Sequence, residues 1–450
     1  MGTRRKWLVG GLILLWLALY PYGAWVQARD RNTFMWGVDQ RAYATYARDL
    51  ARTDYQYPGD RNRMPLYPIL QSLHYREGMS LWRFFNEGQA INIALSVVFL
   101  AGLYLILRKR LPPLMLLNFL LITSFTLFVF KAGYFQTELL FYFLFFCAYL
   151  MLGNLLVKPD PSLAMVAGGT LALAHLSKAS TLPSLVLFVG LMGMKLTKDI
   201  LTPDPSPLSR EGRKNLIQKS LTLALVPLIF LVIVYPYLRY SHQVYGHYFY
   251  NVNSTFYFWA SSSHEAEYVE AHGDRVGWPD LPEDEIPSMR RYLREHDLLD
   301  IAERFQIGLQ RSLVSHTSLD YGYLKFVGLF TLVSLGAAIF NARMLRQMLN
   351  RQNVWQVLFR VGFLGGYFAS YVWYALINSG QRFMLSIYLP YLFTLAAFLS
   401  LPLFRTQKIR IRGWEFEWAR AFNYGILLLM LVDIVLIFGG GRISNVYGGR

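Results

Sequence analysis

One acidic residue and one basic, proline-containing segment share a polar stretch near the start of the chain. Asp39 follows the first apolar run, and Asn62-Arg63-Met64-Pro65-Leu66-Tyr67 comes later in the same stretch. A positioned carboxylate can accept a proton, and a guanidinium can bind two oxygens of one phosphate. Two structural alternatives stay open: Asp39 as the cap of a helix that begins at Gln40, and Arg63 as a solvated loop residue.

Other common chemistries find little support in the residue types. Cys147 is the one cysteine, which excludes an intrachain disulfide and a metal site built on several cysteines. Histidines cluster in a second polar stretch, but no pair of them has the i,i+4 spacing of a helical zinc motif, so surface or packing roles are favoured. The cluster consists of His242, His247, His264 and His272. Neither a GxGxxG motif nor a Walker loop is present.

The composition requires a membrane around these residues. Hydrophobic residues make up 54% of the 450 residues and charged residues only 16%, whereas soluble domains carry about 25% charged residues. The formal net charge is +16, but the basic residues fall in short clusters between apolar runs. That pattern favours anionic lipid headgroups, or a phosphate-bearing lipid, as partners and disfavours nucleic acid.

Eleven apolar runs are candidates for membrane-spanning helices, which need about 20 apolar residues each. They cover residues 7–27, 90–107, 111–130, 135–156, 162–177, 179–195, 219–238, 322–341, 356–377, 383–403 and 421–438. The runs 162–177 and 179–195 are short, so one broken element and a total of ten spans remain an alternative. Asp433, in the last run, is expected either to pair with another helix or to face a cavity.

The basic clusters give the chain an orientation, because Lys and Arg accumulate in short cytoplasmic loops. Eleven spans place every cluster on one side, with a cytoplasmic N-terminus and an external C-terminus. The clusters are Arg4 to Lys6, Arg108 to Arg110, Lys195 to Lys219, Arg343 to Arg351, and Arg405 to Arg420. A retained first helix is favoured over a cleaved signal peptide, because its apolar run is long and contains Trp16.

A single transmembrane domain over residues 1–450 is therefore expected, with two long external loops at 28–89 and 240–320 and a flexible, proline-rich cytoplasmic loop at 197–218. In the first loop, Tyr43, Tyr46, Ala47 and Leu50 follow Asp39 at helical spacing, which predicts a helix along the membrane surface. In the second, the apolar spacing predicts one amphipathic helix that enters the next span. Its apolar positions are Ile286, Met289, Leu293, Phe305, Leu309 and Leu313.

These motifs resemble those of the GT-C glycosyltransferases, and more narrowly the branch with the protein mannosyltransferases and the lipid A aminoarabinose transferase. The segment Asn62 to Tyr67 is similar to the Asn-Lys-Pro-Pro-Leu-Tyr-like segment of that branch, with Arg63 for Lys and Met64 for the first Pro. Thr137-Glu138, Leu176-Ser177-Lys178 and Gln381-Arg382-Phe383 followed by Pro390 resemble further family positions. Gln40 departs from the family, because many relatives have a second carboxylate there.

The resemblance implies a GT-C-like bundle and an inverting transfer of sugar from a polyprenyl-phosphate donor to an acceptor hydroxyl at the external face. Asp39 would be the general base. Cations would stabilise the departing phosphate, with Arg63, Lys178 and Arg382 as candidates. Candidate substrate-binding residues are Gln40, Tyr43, Tyr67 and Glu138.

Each assignment at a span end has a structural alternative. Lys178 and Arg382 would serve as interfacial anchors, and Glu138 as the ion-pair partner of Lys131. Because Gln40 replaces a carboxylate, a paired-acid metal site is in doubt, and a divalent cation stays open as a cofactor.

The sequence leaves the sugar open, and the acceptor could be a glycan, a lipid or a protein. A bacterial inner or plasma membrane is expected. Two other classes remain: a glycan polymerase or ligase that joins lipid-linked chains, and a lipid-linked sugar transporter or flippase. The acidic motif in the first loop disfavours the former, and the lack of paired halves disfavours the latter.

Overall fold

The computed structural model describes residues 3–30, 32, 38–56, 62–201, 210–273, 279–316, 322–348, 353–378, 381–405, 407–411 and 414–439. The proline-rich part of the predicted cytoplasmic loop, 202–209, lies outside the described residues, as does Leu313's side chain.

The described part of the chain is predominantly helical, as predicted. Its first half contains α1 (Thr3–Asp30), α2 (Val38–Arg52), α3 (Leu66–Ser72), α4 (Leu81–Leu107), α5 (Pro113–Thr123), a π-helical turn (Ser124–Phe128), α6 (Val129–Lys131), α7 (Glu138–Val157), α8 (Pro161–Ser177), α9 (Leu182–Leu201) and α10 (Arg210–Tyr245). The predicted apolar runs in this half each fall mainly on one helix, except the run 111–130, which is divided among α5, the π-helical turn and α6.

The second half contains α11 (Val252–Thr255), a 3-10 turn (Tyr257–Trp259), α12 (Ser263–Ala271), α13 (Met289–Glu295), α14 (Leu298–His316), α15 (Gly322–Phe340), α16 (Ala342–Met348), α17 (Asn353–Tyr374), α18 (Gln381–Met384), a 3-10 turn (Leu385–Ile387), α19 (Tyr388–Leu399), α20 (Pro402–Arg405) and α21 (Trp418–Gly439). The exception to the all-helical prediction is an antiparallel pair of short strands, β1 (Lys408–Ile411) and β2 (Trp414–Glu417), in which Lys408 is opposite Glu417.

Five helical segments among the described residues are long and apolar enough to cross a membrane, which agrees with the prediction of a polytopic membrane protein. They are Leu81–Leu107, Pro113–Lys131, Glu138–Val157, Arg213–Tyr245 and Trp418–Gly439. Pro161–Ser177, Leu324–Phe340 and Leu385–Leu399 are apolar but shorter. The total number of spans stays a prediction.

The hairpin of α7 and α8 brings two separated sequence positions to one end of the bundle. Asp160 caps α8, because its Oδ1 accepts hydrogen bonds from the backbone N–H groups of Ser162 and Leu163, and Pro161 suits the first helical position. The connection of three residues between the helices makes them antiparallel. The end of α8 at Ser177 therefore returns to the level at which α7 begins, at Glu138.

An ion pair links the last helix to the rest of the bundle. Asp433 of α21 is buried and its Oδ1 accepts a hydrogen bond from Lys325 Nζ of α15. Of the two alternatives for Asp433, pairing with another helix is the one observed. An intramembrane carboxylate costs about 2.5–3.5 kcal/mol on insertion scales when unpaired, so this contact stabilises the packing of α21.

The single amphipathic helix predicted for the second external loop is wrong, because the structure has two helices there. The backbone becomes extended at His296, after α13, and Asp297 starts α14 by accepting hydrogen bonds from two backbone N–H groups. The predicted apolar face is also not the buried one: Met289, Leu293, Phe305 and Leu309 are exposed, whereas Tyr292, Arg304 and Ser312 are buried.

Arg304 explains why the polar face packs inward. Its guanidinium donates hydrogen bonds to the carbonyl oxygens of Trp373, Ala260 and Phe258, at 3.3, 2.7 and 3.2 Å, and it lies 4.1 Å from the centroid of the Trp373 ring. Charge-assisted hydrogen bonds of this kind contribute about 1.5–3 kcal/mol each. These three contacts hold the guanidinium on the inward face of α14.

Candidate active site

The predicted base and the predicted phosphate ligand are direct neighbours. Arg63 Nη2 lies 2.7 Å from Asp39 Oδ1, and their side chains are 10% and 27% exposed. Helix α2 begins at Val38, so Asp39 lies in its first turn and does not cap a helix that begins at Gln40. The helix dipole favours negative charge at that position. The site thus holds a partly accessible carboxylate against a nearly buried guanidinium.

Gln40 fixes the start of α2 to the segment that precedes α7. Its Nε2 donates to Asn32 Oδ1 at 2.6 Å, and its Oε1 accepts from Asn32 Nδ2 at 2.8 Å and from the Phe135 backbone N–H at 2.9 Å. The side chain is buried. A neutral amide suits this position because the side chain must both donate and accept hydrogen bonds there.

Aromatic rings form a rigid wall behind the ion pair. Tyr43 contacts Tyr67 edge to face with centroids 5.4 Å apart, and Tyr67 contacts Phe135 in the same way at 5.7 Å. The Arg63 guanidinium lies 5.6 Å from the centroid of the Tyr43 ring. Burial raises the pKa of the Tyr67 hydroxyl far above its ordinary value, so this group stays protonated throughout the physiological range.

Amide side chains of α3 and α4 hold this wall in place, and the sequence analysis missed them. The Tyr67 hydroxyl accepts hydrogen bonds from Asn92 Nδ2 at 2.7 Å and from Gln71 Nε2 at 3.1 Å. Gln89, one turn before Asn92, donates to the carbonyl oxygens of Asn32 and Gly133. The available signal was Gln89 and Asn92, where the polar start of α4 passes into its apolar part, because polar side chains within membrane helices are rare and usually functional.

Glu138 is the first residue of α7 and is buried, at 6% exposure. Its Oε2 has no hydrogen-bond partner among the described residues. Burial raises the pKa of Tyr134, and the charge of Glu138 raises it further. A buried carboxylate oxygen without a partner is costly, which makes Glu138 a candidate to bind a hydroxyl group of a substrate.

Lys131 Nζ lies 5.0 Å from the centroid of the Tyr134 ring. The alternative expected for Glu138, an ion pair with Lys131, stays a prediction.

Lys178 lies beside Glu138 because α8 ends there. The Thr137 hydroxyl donates to the Ser177 carbonyl oxygen at 3.2 Å, which joins the start of α7 to the end of α8. Lys178 Nζ lies 5.8 Å from the centroid of the Phe141 ring and 5.0 Å from that of Phe383. These contacts bring α18 to the same end of the bundle. Arg382 belongs to α18, but its side chain lies outside the described residues.

Continuous contacts join the two parts of the site. On one side, ring contacts lead from the ion pair through Tyr43 and Tyr67 to Phe135, which lies three residues before Glu138. On the other side, Thr137 precedes Glu138 and is hydrogen-bonded to Ser177, directly before the extended backbone at Lys178. A cavity of about 10 Å³ lies beside Tyr67 and is lined by Asn92, Lys131, Tyr134 and other residues. This volume holds about one water.

The second predicted external loop contacts the first. Asn251 Nδ2 donates to the backbone carbonyl of Asn62 at 3.3 Å, directly before Arg63, and Asn253 Oδ1 accepts from the Tyr374 hydroxyl at 3.0 Å. The second loop therefore contacts the segment that positions the guanidinium.

The residues at the ion pair do not fit a paired-acid cation site. Asp39 contacts the cation of Arg63, and the neighbouring Gln40 is a neutral amide that is hydrogen-bonded to Asn32 and Phe135. Within the described ranges, no group of three or more His, Cys, Asp or Glu side chains is placed to hold a metal ion. Of the histidines clustered in the second loop, His242 packs against an aromatic ring: its centroid lies 4.3 Å from that of Tyr248.

No protein-family model matches the chain, and no curated protein matches it. Among solved structures, the chain is similar to the archaeal oligosaccharyltransferase AglB from Archaeoglobus fulgidus in complex with an inhibitory peptide and a dolichol-phosphate, at 12% identity, a TM-score of 0.45, and coverage of 95% of this chain and 55% of that one. It is also similar to the apo form of the Archaeoglobus fulgidus oligosaccharyltransferase, at 14% identity, a TM-score of 0.46, and coverage of 96% and 56%. The chain thus spans about half the length of the solved proteins it resembles.

Proposed function

We propose that this chain is an integral-membrane glycosyltransferase that moves a sugar from a polyprenyl-phosphate donor to an acceptor hydroxyl at the extracytoplasmic membrane face. The observation that carries the proposal is the ion pair of Asp39 and Arg63 at the end of the bundle that also bears Glu138 and Lys178. A carboxylate beside several cations suits a reaction in which a proton is removed while a phosphate departs.

The proposed reaction is a single displacement with inversion at the anomeric carbon. The acceptor oxygen forms a bond to that carbon, the bond from carbon to the phosphate oxygen breaks, and Asp39 takes the acceptor proton. The electron pair of the broken bond stays on the lipid phosphate. Arg63, Lys178 and Arg382 are the cations proposed to stabilise that charge, each placed at this end of the bundle by its sequence position.

Arg63 would serve two anions in turn. In the structure it contacts Asp39 and fixes the orientation of the carboxylate. A donor phosphate would compete for the same guanidinium, because a phosphate offers a bidentate arrangement of oxygens. Arrival of the donor would then release the Asp39 carboxylate toward the acceptor hydroxyl. Proton acceptance would be coupled to occupation of the phosphate site.

The remaining predicted substrate-binding residues divide into two groups. Glu138 would accept a hydrogen bond from a sugar or acceptor hydroxyl, which supplies the partner that its Oε2 needs. Gln40 and Tyr67 already use their polar groups within the protein, so they would position the site. The Tyr43 ring lies between the ion pair and Tyr67 and would shape the wall against which the sugar lies.

The direct test incubates purified protein with a panel of polyprenyl-phosphate sugars and acceptors and follows the donors by mass spectrometry. The proposal predicts loss of one donor, release of polyprenyl phosphate, and an acceptor heavier by one sugar. A ladder of products would indicate a polymerase or ligase instead. Movement of the donor across a liposome membrane without a new glycosidic bond would indicate a transporter.

A further inference from the structure

A second cationic cavity lies far from the candidate active site. It has a volume of about 250 Å³, many times the roughly 10–15 Å³ that one water needs on the same measure. The lining residues come from the loop after α4 and from α7, α17 and α19. They are Arg110, Tyr149, Leu150, Gly153, Asn154, Gln356, Arg360, Phe393 and Ala397.

The position along α7 shows that the two sites lie at different ends of the bundle. Glu138 begins α7, and Gly153 follows it by 15 residues. A rise of 1.5 Å per residue separates them by roughly 22 Å along the helix axis. In the proposed orientation this cavity opens toward the cytoplasmic leaflet.

Two arginines in this cavity have no anionic partner. Neither Arg110 nor Arg360 forms a side-chain hydrogen bond or an ion pair with any residue that the structure describes, and no Asp or Glu is among the lining residues. Arg110 is exposed at the mouth of the cavity, and Arg360 is half-buried, 5.9 Å from the centroid of the Phe393 ring. Although the Arg110 side chain is exposed on one side, desolvation by the surrounding protein lowers the pKa of its guanidinium, and the nearby charge of Arg360 lowers it as well.

Two like charges that line one cavity repel each other, and an anion bound between them would offset that repulsion. Guanidinium groups bind phosphate oxygens in pairs, and basic pockets between membrane helices at the cytoplasmic side bind the headgroups of anionic lipids. The hydroxyl of Tyr149 is already bonded to Thr394 at 2.7 Å, and Gln356 Nε2 to the Gly153 carbonyl at 3.3 Å. These contacts hold the cavity wall, and the two guanidiniums are the charged groups among the lining residues.

We propose that Arg110 and Arg360 form a phosphate-binding site at the end of the bundle opposite to Asp39, which takes the phosphate of a lipid headgroup or a free phosphate ion. This site is independent of the proposed glycosyl transfer, because none of its residues belongs to the candidate active site.

The test measures ligand binding to the purified full-length protein by native mass spectrometry. Dioctanoyl phosphatidylglycerol is compared with dioctanoylglycerol, which has the same tails and no phosphate. The wild-type protein should bind the phospholipid and not the diglyceride. Arg110→Gln and Arg360→Gln should each weaken phospholipid binding by about tenfold or more.

Arg108→Gln is the matched control, because it removes the same charge from the same loop at a residue that does not line the cavity. Its affinity should equal that of the wild type. Arg360→Lys keeps the charge and loses the bidentate geometry, so it should fall between the wild type and Arg360→Gln. Thermal unfolding of each variant establishes that it is folded.

A competition with inorganic phosphate separates the two sources of the ligand. Displacement of the phospholipid by millimolar phosphate would assign the site to phosphate in either form, and failure to displace it would assign the site to the lipid headgroup. The proposal is overturned if folded Arg110→Gln and Arg360→Gln bind the phospholipid as the wild type does, or if the diglyceride binds equally well.

Discussion

Arg63 is the residue on which the chemistry of the site depends most closely, because it touches the proposed base directly. The types of Asp39 and Arg63 were enough to nominate a proton acceptor and a phosphate ligand from the sequence. Their 2.7 Å contact was not predictable, because 24 positions separate them and the path of the intervening chain sets the distance. The ion pair turns two independent candidates into one coupled unit.

Arg63→Gln should weaken binding of the polyprenyl-phosphate donor by about 10- to 100-fold, since a hydrogen bond to a charged group contributes about 1.5–3 kcal/mol. Donor titration monitored by tryptophan fluorescence checks this. Arg48→Gln is the matched control, because Arg48 forms a similar 2.8 Å ion pair with Asp49 on the same helix. Equal donor affinity in wild type and Arg63→Gln would remove Arg63 from the phosphate site.

The hydrogen bonds of Gln40 explain why this position carries an amide and not a second carboxylate. In Gln40→Glu an ionised carboxylate would face Asn32 Oδ1 without a proton to donate. Asn32 cannot rotate its amide to compensate, because its Nδ2 also donates to the Gly133 carbonyl at 2.6 Å. The free energy of unfolding should fall by about 1–3 kcal/mol.

Thermal unfolding in detergent measures this loss. Gln56→Glu, at an exposed position just after α2, should unfold at the wild-type temperature. An unchanged unfolding temperature in Gln40→Glu would mean that the amide contacts contribute nothing to stability.

At the scale of helices and loops, the sequence predicted the helices that depend on local apolar spacing. It missed the features that depend on contacts between segments far apart in the chain. The adjacent runs 135–156 and 162–177 and the helix after Asp39 followed from apolar spacing. The break between α13 and α14 and the inward polar face of α14 did not follow, because three backbone carbonyls from other segments hold Arg304 inside.

The close crossing of α14 and α17 gives a prediction at this scale. A Cβ atom added at Gly308 would lie 1.9 Å from the Val372 carbonyl oxygen, so Gly308→Ala must push the two helices apart. The expected loss is about 1–3 kcal/mol of stability, measured as a lower unfolding temperature. At Gly328 of α15, no atom lies within 4 Å of an added Cβ.

Gly328→Ala should therefore leave the unfolding temperature unchanged or raise it slightly, since alanine favours helix. If Gly308→Ala is as stable as Gly328→Ala, the second external loop does not pack on α17 as the structure has it.

At the scale of the whole molecule, composition and the spacing of apolar runs predicted a helical membrane protein, and each predicted run is helical in the structure. The two-stranded pair after α20 was missed, because four-residue strands with alternating charges carry little signal. Asp433 could be recognised as a residue in need of a partner, but Lys325 could not be named, because 108 positions separate the two residues.

The proposed orientation can be tested by cysteine labelling, because Cys147 is the one native cysteine. In a Cys147→Ser background, Ala271→Cys lies in the second external loop and Ala342→Cys follows α15, and both positions are exposed. A membrane-impermeant maleimide added to intact cells should label Ala271→Cys. Ala342→Cys should react only after the cells are permeabilised, and the reverse pattern would place the candidate site in the cytoplasm.

The central claim is that Asp39 accepts the proton of the acceptor hydroxyl, and the rate of transfer in Asp39→Asn tests it most directly. The substitution keeps the shape of the side chain and a hydrogen-bond acceptor for Arg63. Single-turnover transfer at saturating donor and acceptor should fall by about 10²–10⁴-fold, while Asp49→Asn, on the same helix, should retain the wild-type rate. A folded Asp39→Asn variant that transfers sugar at the wild-type rate would contradict the account.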